Sequence, residues 1–186
     1  MVALVLCSGY HPAAFTGEFV RGLGLAPQRL MIFPTEEQSP HSGSALYDCL
    51  CDRLALPAQA PPLLFIAFSA GVVAAVAGSQ LWQQRGGRVA ALIAVDGWGV
   101  PDLGATPLYR LSHDHFTHWS SALLGAGAAG FWAEPAVEHL QLWRSPQTIS
   151  GWCEWRPGWR SRSTAADFLR QLLDQYRGNE EWSILS

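Results

Sequence analysis

The chain contains no lysine: all 12 of its basic residues are arginine, and charged residues make up only 15% of it. The net charge is −3, so no basic excess is available to neutralise a phosphate backbone, and no nucleic-acid partner is expected. A hydrophobic share of 49% likewise excludes a solvated, disordered chain. The exclusive use of arginine is ascribed to residue usage and carries no mechanism. Only four cysteines occur, at positions 7, 49, 51 and 153, and none forms a CxxC pair. Cys49-x-Cys51 is poor metal spacing, so reduced thiols in a cytoplasmic protein are the simplest account. The start, MVALVLCSGY, lacks a basic region and a long apolar run, and neither a signal peptide nor a lipoprotein signal is expected. The longest apolar stretch, from Pro62 to Trp82, has no basic flank before it, with Arg85 and Arg88 following one end only. No membrane span is predicted there. At 186 residues the chain has the length of one domain, without room for a separate lid, and about 177–186 reads as a polar tail.

What is present centres on the stretch PPLLFIAFSAGVVAAVAGSQLWQQ, Pro61 to Gln84, which changes character at a serine. Leu63 to Phe68 is uniformly apolar, as in a strand buried on both faces. After Ser69 an Ala- and Val-rich run too long for one strand predicts a helix. The junction Ala67-Phe68-Ser69-Ala70-Gly71 is therefore a strand, a tight turn and a helix. Small residues two before and two after the serine let strand and helix approach. An ordinary strand-to-helix turn, with Ser69 capping the helix, is the alternative.

The surrounding chain repeats the alternation. Strands are expected at Val2–Leu6, Arg29–Phe33, Val89–Val95 and Pro107–Leu111, and helices at about Ala14–Leu23 and Ser44–Leu56. That order argues for a parallel sheet covered by helices on both faces. Asp96 follows the Val89–Val95 strand, so it should share a rim with Ser69. Ser112-His113-Asp114-His115-Phe116-Thr117-His118 places three of the six histidines and an acid at the end of the next strand. The spacing H-x-H-x-x-H invites a metal reading. A helix is expected near Trp119, capped by Thr117 and ending in the small-residue run Gly125 to Gly130. A last strand is expected at Val137–Trp143, with His139 inside it. Arg144 to Arg162 reads as a loop in which tryptophan and arginine interleave, a surface that could meet a protein partner. Ser163 caps a final helix, Thr164–Tyr176.

On the Ala67 to Gly71 junction and its placement, the chain resembles the α/β-hydrolase superfamily, whose nucleophile elbow has the pattern Gly-x-Ser-x-Gly; Ala67 stands at its first position here. The resemblance implies an α/β-hydrolase-like fold and a serine hydrolase that cleaves an ester or thioester of a small-molecule acyl substrate through an acyl-enzyme at Ser69, with no cofactor. It further implies an oxyanion site formed by backbone N–H groups around Gly9, Tyr10 and Ala70. The superfamily order of serine, acid, histidine allows two assignments. Asp96 can serve with His118, or Asp114 can take the usual acid place with His139 as base. His118, oriented by Asp96 or Asp114, is favoured because it has more freedom to reach Ser69. Two other classes stay open: a catalytically silent protein of the same fold that acts in binding or assembly, and a metal-dependent hydrolase using the His113 to His118 cluster.

Overall fold

The structure is a computed structural model that describes residues 2–102 and 106–177. Its uniformly apolar runs become the strands β1 (Ala3–Cys7), β3 (Leu63–Phe68) and β4 (Val89–Val95). With β2 (Leu30–Ile32), β5 (Leu108–Ser112) and β6 (Ala129–Ala133) they form parallel ladders. β7 (Ser150–Arg156) and β8 (Trp159–Thr164) extend the sheet as an antiparallel hairpin. The strand order is β2-β1-β3-β4-β5-β6-β7-β8. Helices α1 (Ala13–Leu23), α2 (Gly43–Arg53), α3 (Ala70–Gln84), α4 (His115–Ala122), α5 (His139–Arg144) and α6 (Ala165–Arg177) connect or cover the strands. The expected α/β class with a mostly parallel sheet is what the structure contains. Among the described residues no helix is long and apolar enough to cross a membrane.

The two-residue period of an extended chain sorts side chains onto the two faces of the sheet. Leu64, Ile66 and Phe68 join one core with Phe19, Trp143, Phe168 and Leu172. Leu63, Phe65 and Ala67 join the other, with Leu46, Leu50, Val72 and Trp82. β3 is therefore apolar throughout because neither of its faces meets water.

Five expectations are corrected near the C-terminal half. The segment expected as a strand at Val137–Trp143 runs into the helix α5, which starts at His139 and buries the adjacent pair Leu142 and Trp143. The strand lies earlier, at Ala129–Ala133, starting in the last two residues of the small-residue run expected to close a helix. Glycine is tolerated there because the His118 ring packs where a side chain at Gly130 would be, with Cε1 2.5 Å from the Cβ site. The Trp- and Arg-rich segment is the β7–β8 hairpin, turned at Gly158 with φ 81°. Finally, α4 starts at His115 with Asp114 as its cap, which accepts the Thr117 N–H at 2.6 Å; Thr117 is not the cap. At α6 Thr164 accepts the Asp167 N–H at 3.1 Å, in the place expected for Ser163. The expected tail beyond residue 177 lies outside the described residues.

β2 pairs on one side of β1 and β3 on the other, so successive connections leave in opposite directions and open a crevice at the carboxyl ends of β1 and β3. Gly71, in the first turn of α3, is where the helix meets the end of β1. A Cβ there would strike the carbonyl oxygens of Cys7 and Ser8. Gly71→Val should therefore lower the urea midpoint by the equivalent of about 1–3 kcal/mol, the usual scale of overpacking. Gly17→Ala in α1, where the nearest atom is Arg21 Nη1 at 3.6 Å, should instead raise stability by roughly 0.5–1 kcal/mol.

Candidate active site

Ser69 joins β3 to α3 with φ 52° and ψ −121°, a conformation L-residues avoid. Its N–H donates to Val95 O at 2.9 Å, and its side chain makes no capping hydrogen bond to α3. The capping alternative is thereby excluded. Gly9 lies directly against it, with a Cβ site 3.0 Å from Ser69 Cβ and 3.1 Å from Phe68 O. Ala70 is the first residue of α3, so its N–H belongs to the set that a helix leaves without an internal partner. Tyr10 follows Gly9, but its exposed ring turns away to His41, with Oη 2.9 Å from Nδ1. His11 stacks on Phe15 and approaches Phe68, and burial lowers its pKa despite a hydrogen bond to Pro12 O.

The second centre is Asp96, just beyond β4, which also has positive φ (50°) and is buried. Two imidazoles converge on its Oδ2: His139 Nδ1 at 2.8 Å and His113 Nδ1 at 3.0 Å. The His113 backbone N–H occupies Oδ1 at 2.9 Å. Burial alone would raise the Asp96 pKa, but the hydrogen bonds from His113 and His139 more than offset it and hold the carboxyl below its ordinary value. The hydrogen bond to Asp96 lifts His113 above the ordinary imidazole value against its own burial. His113 Nε2 in turn faces Asp114 Oδ2 at 3.5 Å. His139 stacks on Phe68, centroids 4.6 Å apart and planes 25° from parallel, beside the residue that precedes Ser69.

Ser69, Ala70, Val73, Asp96, Trp98, His113, Phe116, Thr117 and His139 line one crevice of about 470 Å³. The structure thus pairs Asp96 with His139, taking one member from each of the two sequence assignments. His139 opens α5 rather than lying inside a strand. His118 is the correction. It lies on the other side of α4, 4.7 Å from the Trp132 ring, and lines a separate cavity with His115, Glu154 and Arg160. Helical geometry explains the placement of His118, since residues 115, 118 and 122 of α4 share a face that Phe116 and Thr117 do not, whereas His113 precedes the helix, just beyond the end of β5. The H-x-H-x-x-H cluster is divided in the same way, so its three imidazoles do not form one ligand set. Asp114 serves as the α4 cap. A different trio, Asp96, His113 and His139, offers one donor atom each within 4.8 Å of one another, the ligand types a divalent transition ion accepts.

The residue that sequence reasoning missed is His113 as an Asp96 partner. Its position at the carboxyl end of β5, beside β4, was the available signal. In the hairpin the Arg162 guanidinium sits 4.4 Å from the Trp152 ring centre, Trp152 Nε1 donates to Glu134, and Arg160 Nε donates to Glu154. Comparisons with protein-family models, with curated proteins and with solved structures find no significant match.

His118 has a buried Nδ1 with no hydrogen-bond partner among the described residues, and burial pushes its pKa down to about 4. An unfolded chain binds a proton there below about pH 6.5 that the folded chain refuses until about pH 4, so stability must fall as pH drops through that window. His113 acts in the opposite sense, its contribution being lost as pH rises through its raised pKa. Denaturant titrations of wild type and His118→Gln should show the variant losing less stability between pH 6.5 and 4, and an NMR titration should place the His118 midpoint near 4.

Proposed function

We propose that the protein is a serine hydrolase of α/β-hydrolase type, which cleaves an ester or thioester through an acyl-enzyme at Ser69. The observation that carries this is the backbone of Ser69, held at φ 52° with its side chain left out of the helix cap, on a crevice shared with an Asp96-bound His139. A residue kept in a costly conformation at the mouth of a crevice is a functional candidate, because nothing in helix capping requires that strain.

The roles follow from chemistry. A serine hydroxyl is a weak nucleophile at neutral pH and needs an imidazole to take its proton. His139 Nδ1–H donates to the Asp96 carboxylate, which fixes the tautomer and leaves Nε2 as the base. Ser69 Oγ attacks the acyl carbonyl as its proton passes to Nε2. The tetrahedral oxyanion is met by backbone N–H groups around Gly9 and Ala70. Collapse expels the alcohol or thiol, which takes that proton. Water, deprotonated by the same nitrogen, then releases the acid and restores the serine. His113 holds Asp96 from the second side and, with its Nε2 turned to Asp114, is the less available base.

A fluorophosphonate probe should label wild type and leave Ser69→Ala unlabelled. In a p-nitrophenyl ester assay, His139→Ala and Asp96→Asn should each lower kcat on the order of 10³-fold or more. His118→Gln should stay close to wild type. Labelling that survives Ser69→Ala, or full activity in His139→Ala, would overturn the assignment.

A further inference from the structure

The crevice and the helix beside it specify what kind of acyl group the site takes. Beyond Ser69 its walls are Val73, Trp98 and Phe116, all exposed large apolar side chains, with Trp98 and Phe116 each 68% accessible. The ionisable groups among the lining residues are Asp96, His113 and His139, and these already bond one another. Among the described residues no arginine lines the crevice to meet a negative charge.

The apolar wall continues along α4. An amphipathic helix ordinarily turns its apolar stripe to the core. α4 does the reverse: the one residue it buries is Ser121, while Phe116 and Trp119 are exposed on one face and Leu123, at its end, is 69% accessible. The Phe116 and Trp119 rings lie 6.2 Å apart. Because Phe116 belongs both to the crevice and to this stripe, the crevice adjoins an apolar surface on the outer face of α4, where Trp119 also borders the His118 cavity.

We propose that Ser69 accepts uncharged acyl groups of medium or greater chain length, the chain passing between Val73 and Trp98 to Phe116 and its far end lying on Trp119 and Leu123. This rests on the serine-hydrolase reading of the same site. Apolar surface of the chain leaves water against these side chains, and each methylene carried into the crevice adds to transition-state binding. An acyl chain that ends in a carboxylate would bring a charge against apolar walls with no counter-ion, at a desolvation cost.

The test compares p-nitrophenyl acetate, butyrate, octanoate and an octanoate with a terminal carboxylate, each below its micelle concentration. Fluorophosphonate labelling of Ser69 is measured alongside. Wild type should show kcat/KM at least about tenfold higher for octanoate than for acetate, and a comparable fall on adding the carboxylate. Trp98→Ala and Phe116→Ala should each cut the octanoate-to-acetate ratio several-fold, whereas Leu56→Ala, at an exposed leucine outside the crevice, should not change it. Both aromatic residues are exposed, so these variants should fold. A flat or reversed chain-length profile, or no discrimination against the carboxylate, with Ser69 still labelled would overturn the acyl-chain assignment and leave the hydrolase standing. Loss of both labelling and turnover in wild type would overturn the hydrolase itself.

Discussion

The positive φ of Ser69 is the constraint from which the rest of the crevice follows. A non-glycine residue in that region costs on the order of 1–3 kcal/mol, and it persists only when its surroundings over-determine it. Here the determinants can be named. The Ser69 N–H is tied to Val95 O of the next strand, Gly9 presses on Ser69 Cβ, and the glycine two residues later lets α3 reach the end of β1. Each contact demands a small or absent side chain at a particular place. The turn thus stores local strain against the packing of two cores that sandwich β3.

Asp96 repeats the arrangement one strand away. It too has positive φ, its N–H donates to Leu111 O of the following strand, and its carboxylate is almost fully withdrawn from water. A buried charge of this kind is tolerable only when its lone pairs are occupied, and three donors from His113 and His139 do so. The carboxylate in turn orients two rings, one of which faces the serine's crevice and stacks on Phe68. Sheet geometry and electrostatics are therefore coupled: the strand ends deliver the groups, and their mutual hydrogen bonds make burial affordable.

Much of the fold was legible because strands buried on both faces read as continuous apolar runs, as in Leu63–Phe68 and Val89–Val95, and because the residues flanking Ser69 are small. The failures have local causes. The stretch Val137–Trp143 alternates in polarity like a strand, yet α5 buries the neighbours Leu142 and Trp143 and leaves Leu140 partly exposed. β6 was hard to see because it begins inside a run of Ala and Gly, where the His118 ring fills the space that a side chain at Gly130 would take. Asp96 and His139 were each visible as candidates, but their pairing across 43 residues is a tertiary fact with no local signature. His113 joins them from just beyond the end of β5, ahead of the α4 cap, while helical phase on α4 turns His118 away.

The outermost strands carry a further consequence. β2 has only three residues, while the other margin, β8, is largely exposed, carries Arg160 and Arg162, and pairs with β7 through an irregular register near Glu154 and Arg156. An open row of unpaired backbone groups is a template for addition of another chain, and brevity, like charges and irregular pairing all discourage it. A sheet with so apolar a middle can remain unpolymerised because its two borders offer a newcomer little length and considerable repulsion.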